Sequence, residues 1–270
     1  MLQLITMKQI CTILLLLAVS TSTLAQDFAI KQLESSPRHQ EWVNVEYAGR
    51  KVRAFVVYPE VSGKATSVVV IHENAGLNDW ARSMADQIAS EGFIAIAPDL
   101  LSGMAPNGGN TPDFAPGTAR DAIYKLDSAQ VRKDLDAVTD YVTKLPAANG
   151  KVAVAGYCWG GGQCFKMATT NEKVKAAFVF YGTGPEDINA IKQIKSPVYG
   201  FYGGNDARVN ATIPKSDSLM KAAGKTYQPL VYEGAGHGFM RAGQDPAGTP
   251  ENVKARNEAF KRLAELLRKI

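Results

Sequence analysis

Val152-Ala-Val-Ala-Gly-Tyr-Cys158-Trp-Gly-Gly-Gly162 is the stretch on which the reading of this chain turns. Alternating small and β-branched residues form a strand that runs into Gly156-Tyr-Cys158-Trp-Gly160, and a helix-compatible segment, 163–169, follows. A strand that breaks abruptly into a helix strains the residue at the corner, and its neighbours must be glycine so that surrounding backbone can approach. The spacing is that of a Gly-x-nucleophile-x-Gly elbow with cysteine at its centre. The Cys158 thiol then stands above a sheet edge at a helix N-terminus, where the helix dipole favours developing negative charge.

On either side of the elbow, strands alternate with helices. Residues 42–47 and 51–58 alternate in polarity around Ala48-Gly-Arg and read as an antiparallel hairpin. Ser67-Val-Val-Val-Ile71 is an unbroken β-branched run, the pattern of a strand buried on both faces of a parallel sheet. Phe93-Ile-Ala-Ile-Ala-Pro-Asp99 and the segments 176–181, 197–202 and 227–232 supply further strands. Residues 79–90 and 128–145 read as helices, the second with Ser128 as cap and Val131, Leu135, Val138, Val142 and Leu145 on one apolar face. Thr249-Pro250 caps a last helix that buries Phe260, Leu263, Leu267 and Ile270. Residues 100–116, rich in Gly, Pro and Asn, make a connection longer than usual and read as a lid or rim. The fold class is α/β, a mostly parallel doubly wound sheet with helices on both faces.

Two further loops give the elbow its chemistry. Gly203-Gly-Asn-Asp206 follows one strand and Glu233-Gly-Ala-Gly-His237-Gly follows the last. Nucleophile, acid and histidine thus occur in that chain order, each where a strand of one parallel sheet ends. His237 exchanges a proton near neutral pH, and Asp206 fixes its tautomer. Asp99 also ends a strand but precedes the nucleophile, so Asp206 is the preferred acid. Cys158 would form a thioester that water hydrolyses with His237 as base. Oxyanion donors are expected by position at the backbone N–H groups of Trp159 and Asn74. His72 reads as a supporting or buried histidine, Cys164 as a core thiol, and the three histidines of the chain lack metal-ligand spacing. No metal or cofactor is expected.

With these residues in view, the chain resembles the dienelactone hydrolase (carboxymethylenebutenolidase) family of α/β-hydrolases. The resemblance rests on Gly156-Tyr-Cys158-Trp-Gly-Gly161, Gly204-Asn-Asp206, Gly236-His237-Gly-Phe-Met-Arg241, His72-Glu73-Asn-Ala-Gly-Leu-Asn78 and Ala97-Pro-Asp-Leu100. It implies that Glu73 contacts the resting thiol and becomes its proton partner when substrate binds. It also implies that Arg241, with Arg120 and Tyr124 of Arg120-Asp-Ala-Ile-Tyr124-Lys-Leu126, holds a substrate carboxylate. The expected activity is hydrolysis of a small ester or lactone, including an anionic one. A broad carboxylesterase or thioesterase on the same residues is the alternative, and a hydrolase-fold binding protein without turnover is a second. Trp159 after the nucleophile and Asn74-Ala75 before the loop glycine depart from common family residues and alter the pocket.

Composition limits the partners. Of 270 residues, 46% are hydrophobic and 21% charged, and the net charge of +4 is spread along the chain, which excludes a nucleic-acid-binding block. Lys8 precedes an uncharged run through Val19 and small residues up to Ala25, the pattern of an export signal spanning residues 1–25, with Met1 or Met7 as its start. The run is shorter than the roughly 20 residues of a spanning helix, so no stable membrane insertion is expected after cleavage. Residues 26–270 then form a single periplasmic or secreted domain of undetermined oligomeric state. Its two cysteines, Cys158 and Cys164, are six apart and do not face each other, so both are expected as free thiols.

Overall fold

In the computed structural model, which describes residues 27–270, the β-branched runs pair into one sheet of eight strands. They are β1 (Gln40–Tyr47), β2 (Arg50–Val57), β3 (Ala65–Ile71), β4 (Ile94–Pro98), β5 (Ala148–Tyr157), β6 (Val174–Phe180), β7 (Val198–Gly203) and β8 (Tyr227–Tyr232). The order is β1-β2-β4-β3-β5-β6-β7-β8, antiparallel from β1 to β4 and parallel from β4 onward. The export signal proposed for residues 1–25 lies outside the described residues.

Ten α-helical segments connect these strands among the described residues: α1 (Asp27–Ser35), α2 (Asp79–Ser90), α3 (Ala119–Ile123), α4 (Ser128–Thr143), α5 (Trp159–Thr170), α6 (Ile188–Lys192), α7 (Ala207–Asn210), α8 (Ile213–Ala222), α9 (Phe239–Ala242) and α10 (Pro250–Leu267). They cover both faces because the central strands are apolar on both. Val68 and Val70 of β3 enter one core with α1, α2 and α10, whereas Val69 and Ile71 enter the other with α4 and α5. None of the described helices is long and apolar enough to cross a membrane.

Two local readings are corrected. Asp127, not Ser128, caps α4: its carboxylate accepts from Ala129 N at 3.3 Å and Gln130 N at 3.2 Å, two bonds that one serine hydroxyl cannot reach together. The helix after the elbow begins at Trp159 rather than at residue 163, because packing against the strands overrides the poor helix propensity of three glycines. The long 100–116 connection is pinned at Thr111, whose N and Oγ1 donate to the buried Asp99 carboxylate at 2.8 and 2.7 Å.

The segment that follows the N-terminal helix is held by one buried charge. Asp86 of α2 is fully buried and accepts from Arg38 Nε at 2.9 Å, Arg38 Nη2 at 2.8 Å and Ser36 Oγ at 2.5 Å. Removing Arg38 leaves this carboxylate with neutral donors alone, its charge uncompensated in the interior. Arg38→Ala is therefore expected to lower unfolding free energy by about 3 kcal/mol in urea titrations, and a loss below about 0.5 kcal/mol would contradict the anchor.

Candidate active site

The nucleophile position is a one-residue corner. β5 ends at Tyr157, α5 starts at Trp159, and Cys158 between them has φ 54° and ψ −115°, a conformation costing roughly 1–3 kcal/mol. A Cβ on Gly156 would lie 2.1 Å from Gly160 O, and one on Gly160 would lie 2.4 Å from both Ile71 O and His72 O. Glycine is required at both positions by close approach, not by dihedral freedom. The strand order places the corner beside the switch point of the sheet, where the chain crosses from β3 to β4 on one side and to β5 on the other.

Two loops bring the other groups to it. Asp206 follows β7 and His237 follows β8, and their turns are joined by Asn205 N to Ala235 O at 2.9 Å and Asn205 Nδ2 to Gly234 O at 3.0 Å. His237 then faces Asp206 Oδ2 through Nδ1 at 2.5 Å and Cys158 Sγ through Nε2 at 3.1 Å. Asp206 is buried and its second oxygen accepts from Val209 N at 3.3 Å, which fixes the carboxylate. Asp99, by contrast, is consumed by Thr111 and Leu101. The three side chains that the sequence order selects are thus in line.

This chain of contacts holds a proton on the imidazole. The hydrogen bond to Cys158 raises His237 to about 9, with Asp206 adding to it against the opposing effect of burial. A pKa raised above the ordinary value of 6.5 gives stability that is complete below about pH 6.5 and is lost as pH rises through about 9. The melting temperature is expected to fall across that window in the wild-type protein and to fall less in Cys158→Ala, measured by scanning calorimetry. Equal slopes in the two proteins would contradict the coupling.

Glu73 departs from the place that the resemblance implied. Its Oε2 accepts from Arg241 Nε at 3.1 Å and its Oε1 from Tyr181 OH at 3.2 Å, and no hydrogen bond joins it to Cys158 among the described residues. A largely buried carboxylate turns to the cation and the hydroxyl that satisfy it, leaving the thiol to His237. Tyr181 is the residue that sequence reasoning missed. It follows β6 with φ 39°, is buried, and meets the His237 ring edge-on at 5.1 Å. Burial, then Glu73, pushes its hydroxyl well above the ordinary value, so it remains a donor. An aromatic at the C-terminal end of a parallel strand was the available signal.

The expected oxyanion donors sit on the loop after β3 and at the start of α5, directly after Cys158. Among the described residues neither Asn74 N–H nor Trp159 N–H has a protein acceptor. The Asn74 side chain donates to Tyr124 OH at 3.2 Å, which draws the exposed Tyr124 to the rim. Arg120 is exposed on α3, and no hydrogen bond or ion pair among the described residues draws it to Cys158. Arg241 keeps 45% of its side chain exposed beside Glu73. His72 is a buried spacer: Leu100 N donates to Nε2 at 3.3 Å, so Nδ1 carries the hydrogen toward Glu73 O at 2.7 Å. Burial lowers its pKa and keeps the ring neutral, stacked at 5.7 Å on Trp159. Cys164 is a buried free thiol facing Phe178 O at 3.4 Å, as its position in the packed helix implied.

Comparison with known proteins agrees with this architecture. Residues 52–270 match the dienelactone hydrolase family. The carboxymethylenebutenolidase of Pseudomonas putida is 32% identical over 200 residues, which cover 72% of this chain and 83% of that protein. A dienelactone hydrolase-like promiscuous phosphotriesterase from metagenomic libraries superposes with a TM-score of 0.73 at 26% identity, covering 86% of this chain and 98% of that one. The dienelactone hydrolase of Anabaena variabilis shares the fold with a TM-score of 0.62 at 18% identity, over 82% of this chain and 95% of its own.

Proposed function

Because the chain belongs to the dienelactone hydrolase family and is a hydrolase of that type, we propose that it cleaves a small, carboxylate-bearing ester or lactone through Cys158, His237 and Asp206. The observation that carries this is the line from Asp206 Oδ2 through both nitrogens of His237 to Cys158 Sγ, at 2.5 and 3.1 Å. Sulfur attacks the carbonyl carbon, and the resulting oxyanion is received by the N–H groups of Asn74 and Trp159. Collapse breaks the acyl C–O bond, and His237 returns its proton to the leaving oxygen. Water, deprotonated by His237, then releases the acid from the thioester and restores the thiol.

Arg241 gives the anionic preference. Only its Nε is engaged by Glu73, so a substrate carboxylate can take the remaining guanidinium edge. Competition for Arg241 would free Glu73 toward the thiol, in keeping with the role the resemblance implies. Tyr124, tethered to Asn74, would bound the same pocket; Arg120 would join only if α3 moved.

Hydrolysis of a carboxylate-bearing dienelactone and of p-nitrophenyl acetate tests the proposal. Both are expected to turn over. In Arg241→Ala the kcat/KM ratio of lactone to acetate is expected to fall about 10- to 100-fold, mainly through KM, as loss of a charge-assisted bond predicts. An unchanged ratio would favour a broad carboxylesterase. Turnover of neither compound would favour a binding protein.

A further inference from the structure

Beside the Asn74 loop a cleft of about 510 Å³ opens between the β1–β2 hairpin and the segment 111–119. Trp42 and Phe114 line it, and so does Ala75, the residue next to Asn74. The cleft therefore starts one residue from a proposed oxyanion donor. Its floor is set by strand register: Trp42 pairs with Phe55 and Asn44 with Arg53, which makes Trp42 and Arg53 diagonal neighbours on one face.

That diagonal produces a stacked cation. Arg53 Cζ lies 4.0 Å from the centroid of the Trp42 ring, and Arg82 Cζ lies 5.7 Å from it. Arg82 is paired with Asp79 in the same cleft. Arg53 has no carboxylate partner among the described residues, so two guanidiniums face one acid. Trp42 itself is 37% exposed, an uncommon state for so large an apolar ring. Stacking holds the guanidinium flat while its N–H edge stays available to a planar anion.

We infer that this cleft is a subsite for an aromatic carboxylate at the distal end of the ester that Cys158 cleaves. The inference rests on the hydrolase reading above for its substrate but not for the binding itself. The flat body of the ligand lies along Phe114 and the exposed edge of Trp42, and its carboxylate meets Arg53.

Two measurements on the intact protein test this. The first is calorimetric titration with trans-cinnamate, which has no ester bond to cleave. Binding is expected in the wild type, to weaken about tenfold or more in Arg53→Gln, to be largely restored in Arg53→Lys, and to persist in Arg241→Ala. Absence of binding, equal binding by Arg53→Gln, or loss in Arg241→Ala alone would overturn the site. The second compares p-nitrophenyl esters of propanoic acid and of its para-carboxyphenyl derivative. The kcat/KM ratio favouring the longer ester is expected to fall about tenfold in Arg53→Gln, through KM. An unchanged ratio would overturn the substrate assignment. If wild type cleaves neither ester, the hydrolase reading fails, and the cinnamate titration still decides whether the cleft binds the anion.

Discussion

Cys158→Ala is expected to lower kcat/KM for any ester or lactone substrate by at least about 10⁴-fold, because the proposed acyl intermediate forms on the thiol that His237 Nε2 faces. Alanine bears the same Cβ at the strained corner as cysteine, so the variant should fold and keep its circular dichroism spectrum. What remains should be binding together with the donors of Asn74 and Trp159, which in related constellations leave some rate above that of water. Steady-state kinetics with a chromogenic ester, alongside mass spectrometry of the wild-type protein under slow turnover, provide the measurement. The wild type should gain the acyl mass on the peptide containing Cys158. Turnover of the alanine variant within tenfold of wild type would remove Cys158 from the mechanism.

Asp206→Asn is expected to reduce kcat by about 10³- to 10⁴-fold with KM changed far less. Asp206 Oδ2 lies 2.5 Å from His237 Nδ1, and Oδ1 accepts from Val209 N, so both oxygens act as acceptors. An asparagine at this site must turn either its NH₂ or its carbonyl toward the ring. If the oxygen stays on Val209, the amide donates to Nδ1 and moves the ring hydrogen to Nε2, where it opposes the thiol in the wrong tautomer. If the amide flips, Val209 N loses its acceptor and the α7 cap is spoiled. A pH–rate profile separates this from simple unfolding: residual activity should follow a lower apparent pKa, since a contributor to the rise of His237 is lost. An unaltered kcat would mean that His237 is oriented by other contacts.

The sheet and the elbow were legible because their signals are local. Runs such as Ser67–Ile71 and 152–157 carry their own burial pattern, and the glycines of the corner stand within two residues of the thiol. Asp206 and His237 were legible through the ends of the strands preceding them, since a parallel sheet gathers such ends along one edge. Glu73 stood out in the loop after β3, but its partners Tyr181 and Arg241 did not. Tyr181 and Arg241 lie 108 and 168 residues further along the chain, and no spacing rule reaches that far. The Asp86–Arg38 anchor was hidden for the same reason. It joins two charged residues 48 apart, and its importance comes from the complete burial of Asp86. Arg120 shows the opposite limit: a recognisable segment supplied the residue type, while its exposed position on α3 leaves no hydrogen bond or ion pair among the described residues to tie it to Cys158.

The bare Cα of Gly160 also sets a distance. It rests on the carbonyls of Ile71 and His72, at the end of the strand that carries Asn74, and it is one residue beyond Trp159. The spacing of the Asn74 and Trp159 amides is therefore gauged by backbone alone, by this contact added to the β3–β5 ladder that pairs Ile71 with Gly156, with no side chain to act as a spring. Any drift of β3 relative to β5 would have to break that contact or carry both amides along. The protein's tolerance to change at its reactive corner is consequently that of the sheet itself. Variation among relatives of this chain should accumulate around the pocket rim, where loops can absorb it, and halt at the caliper formed by Gly160.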